Sequence, residues 1–415
     1  MHAFSYRSRV LHAEAIPLPD IAQRFGTPCF VYSRAEIEAN YRAFARALAG
    51  HGGLVCYSVK ANSNLAVLAV LARLGAGFDI VSGGELARVR AAGGDVRKVV
   101  FSGVGKSRAE IEQALRARIL CLNLESEEEL DRVAEIASRL KTRAPVAFRV
   151  NPDIDAQTHP YISTGLRSTK FGVPYGRAAR LYREAARLRS IEVVGLGCHI
   201  GSQMRSPEPL AAAMRRIASL AGTLQAQGIA LRHIDIGGGI GIRYRNERIV
   251  PIGRFVARCL RALGNRTEQV ILDPGRSIVG NAGVLLTRVE YVKASSARKF
   301  LVVDAAMNDL IRPALYDAWH DVVPARKKAG KARVYDIVGP VCESADFLAR
   351  RRPLVASSGD VLAILSAGAY GMVQSSNYNS RPRAAEVLVD RGRAHLVRAR
   401  ERVGQLFANE SMGGL

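Results

Sequence analysis

LVCYSVKANSN, residues 54–64, is an apolar run of β character that ends on Lys60 and turns at once into Ala-Asn-Ser-Asn. An amine at the C-terminal edge of a buried strand is partly desolvated, which favours its neutral, nucleophilic form and suits a Schiff-base lysine. Working outward, seven more runs of the same kind follow: FDIV (78–81), KVVF (98–101), ILCLN (119–123), PVAFRV (145–150), VVGLGCH (193–199), RHIDI (232–236) and QVILD (269–273). Segments rich in Ala, Leu, Arg and Glu with helical periodicity separate them, as in EELDRVAEIASRL after the fourth run. Eight strands alternating with helices over residues 35–285 predict an α/β fold, a (β/α)8 TIM-like barrel.

Barrels carry their chemistry on the loops after the strands, so the residues ending each run define a candidate site. Here they are polar: Lys60; Asp79 and Ser82; Asn123; Arg149 and Asn151; Cys198 and His199; Asp235 followed by GGGIG (237–241); and Asp273-Pro-Gly-Arg276. Gly237, Gly238 and Gly239 suit a loop whose backbone amides cradle a phosphate, which barrels often hold after strands seven and eight. The spacing is not that of a dinucleotide-binding GxGxxG loop, and the loop sits deep in the series. Asp79 and Glu85, in FDIVSGGEL, read as structural or helix-capping residues.

After residue 285 the alternation stops. VLLTRVEYV, KFLVVD, RVYDIV, VLAILS and AEVLVD read as strands separated by turns, which predicts a second, mostly β C-terminal domain over 286–415. Residues 1–34 end in the strand-like PCFVYS (28–33), which is suited to pair with it. Within this domain GPVCESADFLA (339–349) and AGAYGMVQSSNYNSRPR (367–383) combine glycines and polar groups as site loops do.

The 415 residues carry a formal charge of +23, yet the basic residues are spread along the chain, and the densest patch, ARKKAGKAR (325–333), is short and without aromatic interleaving. An arginine-rich composition accounts for this better than nucleic-acid binding. No apolar stretch approaches the length of a membrane span and the N-terminus lacks a secretory apolar core, so the expected location is cytoplasmic, with no membrane partner. Six cysteines, at 29, 56, 121, 198, 259 and 342, form no CxxC pair or metal-type spacing, as expected of free thiols and no metal site.

VKANSN, NPDIDAQTHPYISTGLRSTKFG, CHIGSQ, DIGGGIG, DPGRS, GPVCES, GAYGMVQSSNYNSRPRAAEVLVD and the opening PLPDIAQRFGTPCFVYS together resemble the diaminopimelate decarboxylase family over nearly the full length. That family belongs to the fold-type III pyridoxal-phosphate enzymes, alongside ornithine and arginine decarboxylases and alanine racemase. The resemblance implies a cytoplasmic homodimer that uses pyridoxal 5'-phosphate to convert meso-2,6-diaminopimelate to L-lysine and CO2, the last step of lysine synthesis. A related ornithine- or arginine-type decarboxylase is the alternative. A racemase needs a second base opposite the lysine, and the CES loop argues instead for decarboxylation.

By position, Lys60 resembles the lysine that carries the cofactor, and His199 the histidine stacked on its ring. Ser202 and the GGGIG amides are similar to the phosphate-holding groups, as is Tyr370 of GAYG, and Gly275 and Arg276 adjoin the cofactor in the same motif. Arg276, Arg312 and Tyr316 resemble the residues that grip the substrate's distal carboxylate, with Glu343 and Tyr370 at the same substrate. Cys342 and Glu343 match a pair that the partner subunit inserts into the site, Cys342 as a proton donor. Asp273 is placed for the carboxylate that keeps the pyridine nitrogen protonated. It departs from the family's usual Glu in EPGR, so either the strand sits closer to the ring or the proton bridge is weaker. Two bland readings stand beside these: His199 as a core histidine, and Arg312 with Tyr316 as a surface pair four apart on a helix.

Overall fold

The computed structural model describes residues 3–155, 165, 170–295 and 298–413. Much of NPDIDAQTHPYISTGLRSTKFG, at 156–164 and 166–169, therefore lies outside the described residues. The chain forms two compact units: Glu38–Ile242 with Arg248–Ile278, and Met1–Ile37 with Arg243–Glu247 and Val279–Leu415.

The first unit is a closed parallel barrel. Its strands are Leu54–Ser58, Gly77–Ile80, Val99–Phe101, Cys121–Leu124, Ala144–Asn151, Ile191–Gly197, His233–Asp235 and Gln269–Leu272. Each pairs in parallel with the next, and strand eight closes on strand one through Ile271↔Leu54 and Leu272↔Val55. The barrel interior is packed rather than open: Cys56, Val100, Cys121, Ala147, Val194 and Ile271 form one buried cluster, with two cysteines serving as small apolar side chains.

The sequence starts the helices after strands one to four with asparagine or serine. Asn64 Oδ1 accepts from Ala66 N before the helix Leu65–Arg73, and Ser82, Ser107 and Ser126 cap the helices Gly83–Ala91, Arg108–Ala117 and Glu127–Arg139. Ser107 and Glu110 complete a reciprocal capping box. Each cap supplies an acceptor for an otherwise orphaned backbone N–H, worth about 1 kcal/mol. These caps also fix where the loops after strands one to four must end, which confines their site residues to a few positions.

The second unit is built on a nine-stranded sheet. Its central strand Gly283–Ala294 pairs antiparallel with Cys29–Ser33, Lys299–Val303 and Val361–Ile364. Cys29–Ser33, the end of PCFVYS, also pairs in parallel with Ala385–Asp390 through Val31↔Val387. All five of its residues are buried, as expected of a strand with neighbours on both sides. A three-stranded sheet of Phe4–Arg7, Val10–Ala13 and Ile16–Pro17 and the helix Leu18–Phe25 belong to the same unit; Leu11, Leu18, Ile21, Val284, Leu286 and Val387 share one core.

Candidate active site

At the C-terminal ends of the barrel strands a cavity of about 180 Å³ is lined by Lys60, Asp79, Ser102, Asn123, Arg149, Phe171, Cys198, His199, Asp235 and Asp273, among others. Lys60 is placed by a short 3-10 turn, Val59–Ala61, that directly continues strand one. The Asn residues of VKANSN hold that turn: Asn62 Oδ1 accepts from Asn64 N at 3.0 Å, and Asn62 O accepts from Tyr57 Oη at 2.9 Å.

Lys60 Nζ donates to Asp79 Oδ2 at 2.7 Å, and Ser58 Oγ lies 2.9 Å from the same oxygen. Ser58 and Asp79 are register partners on strands one and two. Burial pushes the Asp79 carboxyl up, but the Lys60 ammonium and hydrogen bonds from Lys60, Ser102 and Ser58 outweigh it and hold the group below its ordinary value. Asp79 is thus an anion inside the site that anchors Lys60, which corrects the capping half of its reading and leaves a structural role. The capping role falls to Ser82, with Glu85 Oε2 accepting from Val81 N at 2.7 Å and its carboxyl raised by burial to about 7. The missed signal is the acid itself: all four residues of FDI's strand are buried, and a buried Asp in an apolar run calls for a cation.

Strands five to eight supply the opposite wall. Arg149 reaches Glu125 Oε1 at 3.2 Å and His199 O at 3.3 Å, with its guanidinium 4.7 Å from the Phe171 ring centre. His199 Nδ1 stands 3.6 Å from Asp273 Oδ1, beyond hydrogen-bond length. Asp273 Oδ1 is buried without a hydrogen-bond partner among the described residues. Burial and the neighbouring Asp273 push the Asp235 carboxyl well up, while Gly237 N donates to it at 2.9 Å. Arg276 Nε donates to Ser202 Oγ at 3.2 Å.

The glycines of GGGIG are required by close approach. A Cβ on Gly238 would stand 2.4 Å from both Asp273 O and Asp273 Oδ1. Gly239 has φ +81°, and a Cβ there would stand 2.1 Å from Gly201 O. A Cβ on Gly237 would meet Cys198 O at 2.6 Å, and one on Gly275 would meet Ser58 Cβ at 2.9 Å. Lys60, His199, Ser202, Gly237, Gly238, Gly239, Asp273, Gly275 and Arg276 therefore all belong to the barrel's strand-end loops.

The remaining predicted residues lie in the second unit. Arg312 opens the helix Arg312–Tyr316 and is buried, so it is no surface residue. Its Nε donates to His320 Nε2 and its Nη2 to Tyr244 Oη, both at 3.3 Å; Tyr316 Oη accepts from Gln374 Nε2 at 3.3 Å. Tyr370 sits at φ +56°, a left-handed conformation that costs a non-glycine residue about 1 kcal/mol or more. Cys342, unlike the five buried cysteines, is exposed, as is Glu343; Cys342 N donates to Asn379 Oδ1 at 2.8 Å. His320, Tyr244 and Gln374 had no signal in the sequence, because each acts on Arg312 or Tyr316 through contacts that chain spacing does not encode.

Pyridoxal phosphate fits this set of donors. The amine is at a strand end, the tightly packed glycine loop leaves the Gly238 and Gly239 amides for a phosphate, and the bare Asp273 Oδ1 matches a protonated ring nitrogen. The chemistry is that of a pyridoxal-phosphate enzyme on a barrel with a β unit. A family profile described as "Pyridoxal-dependent decarboxylase, pyridoxal binding domain" matches residues 34–280. The chain is 57% identical over 412 residues to diaminopimelate decarboxylase of Pseudomonas aeruginosa and 52% identical to that of Vibrio cholerae, covering 99% of each chain in both pairs. Among solved structures, diaminopimelate decarboxylase from Helicobacter pylori complexed with L-lysine matches with a TM-score of 0.92 at 41% identity, over 96% of this chain and 100% of that one. The enzyme from M. jannaschii in co-complex with L-lysine matches with a TM-score of 0.95 at 35% identity, over 100% and 99%. This chain belongs to the diaminopimelate decarboxylase family.

Proposed function

We infer that the protein is a carboxy-lyase that removes CO2 from meso-2,6-diaminopimelate and releases L-lysine, the final step of lysine biosynthesis. The observation that carries the reaction class is the Lys60 amine facing one cavity together with the unpartnered Asp273 Oδ1. L-Lysine bound in two similar structures supports the product. When bound, pyridoxal phosphate supplies the electron sink for the pair left by departing CO2.

Lys60 would hold the cofactor through Nζ, and Asp273 Oδ1 would accept from its ring nitrogen and keep that nitrogen protonated. His199 would cover the ring. Ser202, the amides of Gly238 and Gly239, the Gly275-Arg276 turn and Tyr370 would hold the phosphate, with Gly237, whose amide donates to Asp235 Oδ1, shaping the loop beside them. Arg276, Arg312 and Tyr316 would bind the substrate's far carboxylate, a bidentate match to guanidinium, with Glu343 taking the far amine. The Cys342 thiol would deliver a proton to the carbon that has lost CO2. Exposure of Cys342 and Glu343 supports their insertion into a partner's site, so the working assembly would be a homodimer with two composite sites, each barrel completed by the other subunit's loop. Reduced thiols support a cytoplasmic location, and no helix among the described residues is long and apolar enough to cross a membrane.

Released CO2 and amine are measured with meso-diaminopimelate and, separately, ornithine, arginine and lysine. CO2 with lysine from diaminopimelate alone is expected. Turnover of ornithine or arginine would move the substrate to the diamine-forming relatives, whose substrates have no distal carboxylate for a buried Arg312 to meet.

A further inference from the structure

His320 is fully buried and held at three points. Its ring Nδ1 lies 2.9 Å from Leu365 O, its carbonyl accepts from Arg352 Nη2 at 3.1 Å, and the Tyr244 ring meets it edge-on at 5.3 Å between centroids. The residue before it, Trp319, is clamped between two guanidiniums, Arg245 at 4.0 Å and Arg352 at 3.2 Å from its ring centre, and its Nε1 donates to Asp321 Oδ1 at 2.7 Å. The turn bearing His320 is therefore rigid.

These contacts settle the ring's protonation. A carbonyl only accepts, so Nδ1 facing Leu365 O carries the hydrogen; a guanidinium only donates, so Nε2 facing Arg312 Nε carries none. His320 is a neutral acceptor for Arg312, and Tyr244 Oη is a second one. Both bonds orient the guanidinium without cancelling its charge, and the Tyr244 and Tyr316 rings, 5.4 and 5.7 Å from Arg312 Cζ, flank it.

We propose that His320 and Tyr244 are positioning residues that fix the Arg312 guanidinium for the distal carboxylate of the substrate, an inference that rests on Arg312 being that carboxylate's partner. They set specificity through affinity for the carboxylate end, acting through Arg312.

Decarboxylation removes one carboxylate of diaminopimelate and leaves the other on L-lysine, whereas cadaverine has neither. Inhibition constants of L-lysine and cadaverine on the holoenzyme therefore isolate the carboxylate. His320→Phe keeps the ring's bulk but has no acceptor, and it should raise the L-lysine constant about tenfold or more, with the cadaverine constant within about twofold. KM for diaminopimelate should rise more than kcat falls. His320→Gln, which can offer an amide oxygen, should restore most of the lysine affinity. In an Arg312→Gln background, His320→Phe should add little, since the two act as one unit. Tyr244→Phe removes one hydroxyl and carries the test by itself if His320→Phe does not fold; about a threefold, lysine-selective loss is expected. Equal loss of lysine and cadaverine in the His320 and Tyr244 variants would mean a merely structural role and overturn the proposal. Selective loss in Arg312→Gln alone, with both positioning variants silent, overturns it while leaving the Arg312 reading intact. An Arg312→Gln variant that binds lysine normally removes the reading and the proposal together.

Discussion

Lys60 Nζ and Asp79 Oδ2 lie 2.7 Å apart, with the lysine side chain 36% exposed and the aspartate 1%. The pair is asymmetric: solvent helps the cation, while the anion depends on it. In the native protein the depressed Asp79 carboxyl contributes stability above its unfolded value, and that contribution is lost as pH falls through the lower folded value.

Lys60→Ala should reverse that sign. With the ammonium gone, burial, the largest influence on Asp79, is no longer outweighed, and the carboxyl should rise above its ordinary value. The apo variant should then gain stability, relative to the parent, as pH is lowered through that raised value, measured as melting temperature against pH. It should also show no absorbance from lysine-linked cofactor. A parallel pair of melting curves at all pH values would refute the coupling.

His233 gives an acid response opposite to that of the Lys60→Ala variant. Burial, with the Arg232 charge, pushes it down from 6.5 to about 4, and its Nε2 has no partner among the described residues. A group depressed on folding supports the fold above its unfolded value and ceases to do so as pH falls from there to the folded value. The barrel should therefore lose about 3 kcal/mol between pH 6.5 and 4 through this residue. The window is visible in denaturant titrations, and His233→Gln should flatten it. The Gln side chain also has to fit against Gly195, where even a Cβ would stand 2.1 Å from the His233 ring.

Much of this was legible because strand-end residues in a barrel are consecutive with apolar runs. VKANSN, CHIG, DIGGGIG and DPGR announced their loops, and PCFVYS announced a strand that finds its neighbours hundreds of residues away. Asp79 stood among the strand-end polar residues, but its tie to Lys60 was hidden: that comes from the Ser58↔Asp79 register, which is a property of the sheet. The Arg312 environment was hidden for a related reason. Tyr244, His320 and Leu365 come from three separated segments, and no periodicity links them.

Gly239→Ala should be the most damaging change in the glycine loop. It adds a side chain at φ +81° and places it 2.1 Å from Gly201 O, so melting should drop by the equivalent of about 2 kcal/mol or more, with cofactor affinity falling too. Gly238→Ala should act more locally. Its Cβ would press on Asp273 Oδ1, so cofactor binding should weaken more than stability, read by absorbance titration beside thermal melting.

Mixing two inactive variants tests the composite site. Cys342→Ala should keep the cofactor and lose most turnover, and Lys60→Ala should lose both. Random exchange between them gives half hybrid dimers, each with one intact site, so about a quarter of parental activity should return. No recovery after verified subunit exchange would place Cys342 with the Lys60 of its own chain.

The place of Cys29–Ser33 between Gly283–Ala294 and Ala385–Asp390 sets the order in which the chain can mature on the ribosome. That strand leaves the exit tunnel roughly 250 residues ahead of its first partner, a wait on the order of tens of seconds at ordinary elongation rates. During it, five residues destined for full burial have no sheet to join, while the barrel's strands emerge in order beside their neighbours. Nascent chains stalled before residue 283 should thus recruit chaperones through their N-terminus, and refolding of the released polypeptide should escape that dependence.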